Sequence, residues 1–488
     1  MKPGRLIVTL VILANLVLVG WLLVRAPDQP IDSLGDAVSP LVATSTLEGA
    51  RYDLSNRADE LNVILISMDA LRYDMTGLGG NGQSVTPNLD QFATESVVFH
   101  DAVANAPWTL PSHMSVWTGR WPSVHGVTNK LRLLSQDQMV PTTLSPGIET
   151  FPDYLVRGGW KAGGFTGGAG VQGSYGFGRD FDAYLDDRYF AGLDYSIPPA
   201  LEWLEANRNE QFFLFLHGYD SHGQYPLAEA KLDRLKADYT GDLDGGIEEQ
   251  AKLREDGLAA ITSPGDAPNL EGALDEADIG FLKGVYAQKI KDADERLGGF
   301  LAQLRVMGLL DKSIVVIISD HGDEFMEHGG LDHGGTLYQE QLHVVMMMRF
   351  PGYARQHDVQ ESVRLFDVFP TVFDVMGLQG PAGVGGESLL PLLRGEAHSA
   401  PVFSESDYRL FVNLRAARRG SKKLVLDLQD GRKELYDLSV DPLEQNDISS
   451  ADPRTTYELE QALRGWMDQT RTNPEDYLGI QQQPITLF

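Results

Sequence analysis

The chain has 488 residues, with 40 Lys+Arg against 69 Asp+Glu, a formal net charge of −29 and a pI near 4.7. At 42% hydrophobic and 22% charged it is a folding chain rather than a disordered tail, and its acidic balance excludes a protein built to grip nucleic-acid backbone. Cysteine is absent, which excludes disulfides, thiolate metal sites and a cysteine nucleophile.

The first predicted element is Leu6–Val24, an uncharged apolar run just long enough to cross a bilayer core. Lys2 and Arg5 precede it and Arg25 follows, so residues 1–25 read as a membrane anchor with a cytoplasmic N-terminus. A cleaved signal peptide is the other reading. Both place the rest of the chain outside the cytoplasm, in a periplasmic or extracellular space. Residues 26–60 carry Pro, Asp, Ser and Thr without sustained periodicity and read as a stalk. Four apolar runs then look like buried parallel strands: Asn62–Ser67, Phe212–His217, Ser313–Ser319 and Val344–Arg349. Helical patterns lie between them, as in Asn88–Ser96 and Ala287–Met307, which predicts an α/β layered fold. The catalytic domain is expected over 61–400, with an acidic, Gly-rich helical insertion at 225–282. A small α+β subdomain is expected over 401–488, with a hairpin at Asp430-Gly431 and a helix over Thr455–Thr470.

Ligands of α/β sheets sit at the carboxyl ends of the strands. The first strand ends at Asp69, the second at His217, Asp220 and His222, and the third at Asp320 and His321. One such carboxylate is ordinarily a helix cap, but three strand ends carrying Asp and His together suit a divalent metal. In NAPWTLPSHMSVWTG, Pro111 fits a first helical turn, which leaves Thr109 at a helix N-terminus. There it serves either as a cap or as a metal-activated hydroxyl nucleophile. His328 and His333 lie in a Gly-rich loop, EHGGLDHGG, and read either as site residues or as surface residues.

Taken together and in order, these residues resemble the sulfatase family within the alkaline phosphatase superfamily. The resemblance is carried by NVILISMDALRYD, by TPNLDQFATESVVFHDAVANAPWTLPSHMSVWTGRWPSVHGV, by ISDHGDEFMEHGGLDHGGTLYQEQLHVVMMMRFPG, and by RLFDVFPTVFDVMGL, GESLLPLLRG and ELYDLSVDPLEQNDI. It implies a large central mixed, mostly parallel sheet sandwiched by helices, with a small C-terminal α+β subdomain. It also implies roles: Asp69, Asp320 and His321 as metal ligands, with Thr109 as nucleophile and metal contact. His222 and His333 fall on positions that bind substrate oxygens or protonate the leaving group. His113, His125 and Asn129 fall near the nucleophile as substrate-binding candidates.

Departures from the family pattern point the same way. The signature Cys or Ser, x, Pro, x, Arg reads Thr109-Leu110-Pro111-Ser112-His113, which does not match formylglycine maturation, and the paired acidic ligands reduce to Met68-Asp69. Thr nucleophiles are familiar in the superfamily's phosphodiesterases and phosphoethanolamine transferases. His321 tilts the metal towards Zn²⁺ or Mn²⁺, with Ca²⁺ the alternative. A second metal at Asp220, His222 and His333 is the minority reading. The expected function is thus a membrane-anchored, metal-dependent hydrolase of sulfate, phosphate or phosphonate esters, the substrate lipid- or glycan-linked in some readings, with no nucleic-acid partner. The alternatives are a phosphoethanolamine- or phosphoglycerol-type transferase to lipid or glycan, and a non-catalytic binding protein on the same fold.

Overall fold

The structure, a computed structural model, describes residues 52–80, 84–135, 138–262, 270–353, 355–397 and 400–470. The expected anchor at 1–25 and most of the stalk lie outside the described residues. Among the described residues no helix is long and apolar enough to cross a membrane.

Nine strands form the central sheet: β1 (Asn62–Met68), β2 (Val97–Val103), β3 (Lys161–Phe165), β4 (Ala183–Leu185), β5 (Phe212–Gly218), β6 (Ser313–Ile318), β7 (His343–Val344), β8 (Met346–Arg349) and β9 (His357–Arg364). Their order is β7-β2-β8-β6-β1-β5-β3-β4, with β9 paired to β2. The half containing β6, β1, β5, β3 and β4 is parallel throughout. β8 runs antiparallel to both β6 and β2, a difference from the parallel expectation for Val344–Arg349. A strand buried on both faces reads as a continuous apolar run whichever way it points, so composition does not settle its direction.

Side-chain alternation explains why those runs are apolar throughout. Val63 and Leu65 of β1 join one core cluster, while Ile64, Ile66 and Met68 join the cluster on the opposite face. Six helices matter here: α1 (Thr109–Thr118), α2 (Leu193–Asn207), α3 (Glu229–Lys236), α4 (Ile247–Thr262), α5 (Glu276–Val306) and α6 (Pro453–Gln469). α5 starts with a capping box on Asp275 and Asp278. It buries Tyr286, Ile290, Ala293, Leu297, Leu301 and Leu304 at three- and four-residue spacing against the second face. α3 and α4 fall in the expected insertion.

The C-terminal part is an antiparallel meander of β10 (Val402–Ser406), β11 (Leu414–Arg419), β12 (Lys422–Asp427) and β13 (Lys433–Asp437). Gly431, at φ +77°, turns the hairpin between β12 and β13. α6 packs Leu459, Leu463, Trp466 and Met467 over it, one apolar stripe of a helix. β10 also braces the segments around the central sheet. Asn105 Nδ2 donates to Phe403 O at 3.0 Å, Ser404 Oγ to Ala104 O at 2.7 Å and Ser406 Oγ to Gly334 O at 2.7 Å. One strand therefore pins both the approach to α1 and the loop that carries His333.

Candidate active site

β1, β5 and β6 are paired in register, with Ser67 opposite both His217 and Ile318. Their carboxyl ends therefore finish together, and Asp69, Tyr219 and Asp320 emerge side by side. α1 enters the same point with extended Trp108 as its N-cap and Thr109 as its first residue. Thr109 does not cap the helix, because Trp108 holds that position and no side-chain cap bond forms. Its hydroxyl donates instead to Asp69 Oδ1 at 3.0 Å, and His321 Nε2 lies 3.4 Å from the Thr109 oxygen.

The Asp69, Asp320 and His321 donor atoms lie within 4.8 Å of one another and all three residues are fully buried. His321 Nδ1–H donates to Gly322 O at 2.8 Å, which leaves Nε2 as a bare lone pair facing the carboxylates. Asp320 Oδ1 accepts from Ala70 N at 3.1 Å. Asp69 Oδ2 and Asp320 Oδ2 are buried with no hydrogen-bond partner among the described residues. Burial, with the facing Asp320 charge, raises the Asp69 carboxyl well above its ordinary range. Burial opposes ionisation of Asp320 too, and its carboxyl is held low where the adjacent His321 and His113 imidazoles carry a proton charge. Two facing buried carboxylates with orphaned oxygens, beside an imidazole lone pair, are a donor set that a divalent cation completes. The residues present fit a metal.

Around this floor stand two more histidines. His222 Nδ1 accepts from Gln224 N at 3.2 Å, so its neutral ring carries the proton on Nε2. Burial and then neighbouring His333 push its pKa well down, which keeps it neutral. His333 is the opposite case. Burial works against its charge, but Asp332 Oδ1 at 2.8 Å and Asp323 Oδ1 at 3.1 Å both face its Nδ1 and raise its pKa well above the ordinary value. The His333 ring lies 4.2 Å from that of His321 and 5.0 Å from that of His222, centroid to centroid.

Thr109, His222 and His333 open into one cavity of about 490 Å³, walled by Trp108, Phe190, Tyr219 and Tyr408 and reached by Asn129. Gly170, also in the wall, is there for space: a Cβ on it would come within 2.8 Å of Thr109 Cβ and 2.9 Å of Cγ2. Its N–H donates to Tyr219 Oη at 2.8 Å, which ties the loop to the end of β5.

The sequence-predicted set is thus partly assembled. Asp69, Thr109, Asp320, His321, His222 and His333 converge, and Asn129 lines the cavity while donating to Asp407 O at 2.6 Å. His113, within α1, and His125 are buried and do not line the cavity. His113 sits between Ser67 Oγ at 2.8 Å, Thr109 O at 3.0 Å and Asp320 Oδ2 at 3.3 Å, so its polar contacts are made inside the protein. His125 bonds Ser115 Oγ and Val127 N, and burial lowers its pKa to about 3. The second-metal set including Asp220 is corrected: Asp220 accepts from Leu193 N at 2.7 Å, at the start of α2, and pairs with Arg296. The residue that joins His222 and His333 is Asp332, missed although it adjoins His333 in the chain. His328 stays out of the cavity, bonded to Glu340 Oε1 at 2.8 Å and to Glu444 O at 3.1 Å. The sequence reading gives Tyr219 no role and places His217 only among the strand-end residues that suit a metal. His217 is fully buried 3.8 Å from Asp69 Oδ1, with neither ring nitrogen hydrogen-bonded among the described residues, and burial drives its pKa well down.

Comparison with known proteins matches this architecture. The family model described as sulfatase covers residues 61–378, and the one described as N-sulphoglucosamine sulphohydrolase, C-terminal, covers 326–473. Arylsulfatase K of Mus musculus is 24% identical over 446 residues, spanning 83% of this chain and 78% of that protein. Arylsulfatase K of Homo sapiens is 24% identical over 494 residues, spanning 87% and 86%. Among solved structures, a protein in complex with its substrate D-glucosamine-2-N,6-O-disulfate superposes with a TM-score of 0.68 at 21% identity, over 85% of this chain and 99% of that one. The phosphonate monoester hydrolase of Agrobacterium radiobacter superposes at 0.67 with 18% identity, over 84% and 96%. These structural likenesses establish the fold.

Proposed function

The chain belongs to the sulfatase family and is an ester hydrolase, and from that premise we propose that it is a metal-dependent enzyme with Thr109 as its nucleophile. The observation that carries this reading is the Thr109 hydroxyl, 3.0 Å from Asp69 at the floor of the cavity, where a cap would have turned it to the helix backbone. Asp69, Asp320, His321 and Thr109 are the residues that would hold the ion, and the imidazole favours Zn²⁺ or Mn²⁺ over Ca²⁺. A divalent ion bound there supplies Lewis acidity to the reacting oxygens and favours the ionised hydroxyl.

The remaining work falls to the chain's own groups. Asp69 Oδ1 holds the Thr109 proton and aims the oxygen into the cavity. Free amides in the first turn of α1 favour an anionic group in front of Thr109. His222 Nε2–H donates to an ester oxygen without carrying charge. His333, kept cationic by Asp332 and Asp323, gives its Nε2 proton to the leaving oxygen as Thr109 displaces it, and the neutral ring then takes a proton from the water that cleaves the Thr109 ester and frees the threonine. Tyr219 and Phe190 keep bulk water from that side. A threonine that bypasses formylglycine chemistry favours phosphoric and phosphonic esters over sulfates.

The apolar run Leu6–Val24 supports a chain anchored by one helix with its catalytic part outside the cytoplasm. The test of the activity is a panel of aryl sulfate, phosphate monoester, phosphodiester and phosphonate monoester, with and without EDTA, in wild type and Thr109→Ala. EDTA-sensitive turnover lost in the variant supports the reading; turnover unchanged in Thr109→Ala overturns it.

A further inference from the structure

The cavity mouth departs from the charge of the molecule. Overall the chain carries 40 basic against 69 acidic residues, yet among the described residues the cavity lining holds Lys130, Arg254 and Arg409 against one carboxylate, that of Glu255. Two of these cations are answered. Arg254 Nε lies 3.1 Å from Asp332 Oδ2, and Arg409 forms a two-pronged pair with Glu255 at 3.0 Å for each arm. Lys130 has no carboxylate within ion-pair distance among the described residues. Lys130 is exposed at the rim as a whole, and desolvation of its ammonium, followed by the Arg409 and Arg254 charges, depresses its pKa.

We infer that Lys130, with Arg409 and Arg254 beside it in the same lining, forms a subsite for a second anionic group on the substrate, a carboxylate, sulfate or phosphate distinct from the ester at Thr109. The volume of about 490 Å³ suits a single ring carrying both groups. The inference rests on the reading of Thr109 as the reacting centre. It narrows the substrate from any aryl or lipid ester to a compact dianion.

Binding of non-hydrolysable probes tests this without turnover. Calorimetric titration of the full metal-loaded chain compares phenylphosphonate, 3-carboxyphenylphosphonate, and phenylphosphonate with excess benzoate. The carboxylated probe is expected to bind at least about tenfold tighter, the gain shrinking as salt rises, with no gain from free benzoate. Lys130→Ala should reduce that preference to about threefold or less, and Lys130→Arg should keep it. Equal affinities in wild type, or an unchanged preference in Lys130→Ala, overturn the subsite. A gain reproduced by free benzoate overturns its assignment to the substrate. Loss of turnover on every ester with the binding preference intact would instead count against the Thr109 reading alone.

Discussion

The floor and the mouth of the cavity are built on opposite plans. Asp69, Asp320 and His321 stand directly after adjacent, in-register strands, fully buried, and Thr109 is fixed by the first turn of a helix. The mouth joins residues far apart in the chain: Arg409 meets Glu255 across a sequence separation of 154, where an insertion helix approaches the turn after β10. Its side chains are half-exposed and held mainly by ion pairs. A sheet places reacting groups with little tolerance, whereas surface pairs hold selectivity elements that can vary without unfolding the protein.

The sharpest way to break this contrast is Thr109→Ala. Turnover should fall on the order of 10⁴-fold or more, while a melting scan of the chelated protein moves by only a few degrees; a large melting loss would make Thr109 structural. Next is Asp320→Asn. Bound metal, read by elemental analysis, should drop below half an equivalent, and the fall in melting temperature that EDTA causes in wild type should vanish. An EDTA response equal to that of wild type would remove Asp320 from the ligand set.

His333→Gln should cost about 10²–10⁴-fold on esters with poor leaving groups and much less on nitrophenyl esters. A loss independent of the leaving group would deny His333 the proton. A smaller effect concerns His328, outside the cavity. Burial opposes its charge, but Glu340 raises its pKa to about 9, above the ordinary 6.5. A raised folded-state value means stability present in full below about pH 6.5 and lost as pH rises through about 9. Chemical denaturation should show a decline on the order of 1 kcal/mol across that window, absent in Glu340→Gln. Smallest of all is Glu255→Gln at the mouth. The Glu255 side chain is 55% exposed, so global stability should change by no more than about 0.5 kcal/mol. A loss several times larger would make the mouth as rigid as the floor.

How much of this was legible in the chain follows the same division. Strand ends announce themselves, because an apolar run that stops at Asp or His marks where a buried strand meets a site. That is why Asp69, Asp320, His321 and His222 were readable. Direction was not, since β8 is buried on both faces. Asp220 misled because it stands two residues from His222 and looks like its partner, yet a turn sends its carboxylate to the start of α2 and to Arg296. Asp332 carried a signal that spacing rules ignore. It is an acid between Leu331 and His333 with φ +81°, a strained backbone that places its carboxylate beside the imidazole. His113 and His125 were near the nucleophile in sequence, but they lie on the inner face of the segment and point into the core. Lys130, Arg254 and Arg409 could not have been grouped, because nothing local links three cations brought together only by tertiary packing.

Gly170 gives the threonine itself a meaning beyond its hydroxyl. A serine at position 109 would carry an oxygen free to turn among three staggered positions. Threonine also carries a methyl group, and the bare backbone of Gly170 lies against it so closely that no larger residue fits. The methyl acts as a keel seated in that groove. With it lodged there, the oxygen on the same carbon keeps the one setting that meets Asp69, and the cost of choosing that setting falls on folding rather than on each catalytic cycle.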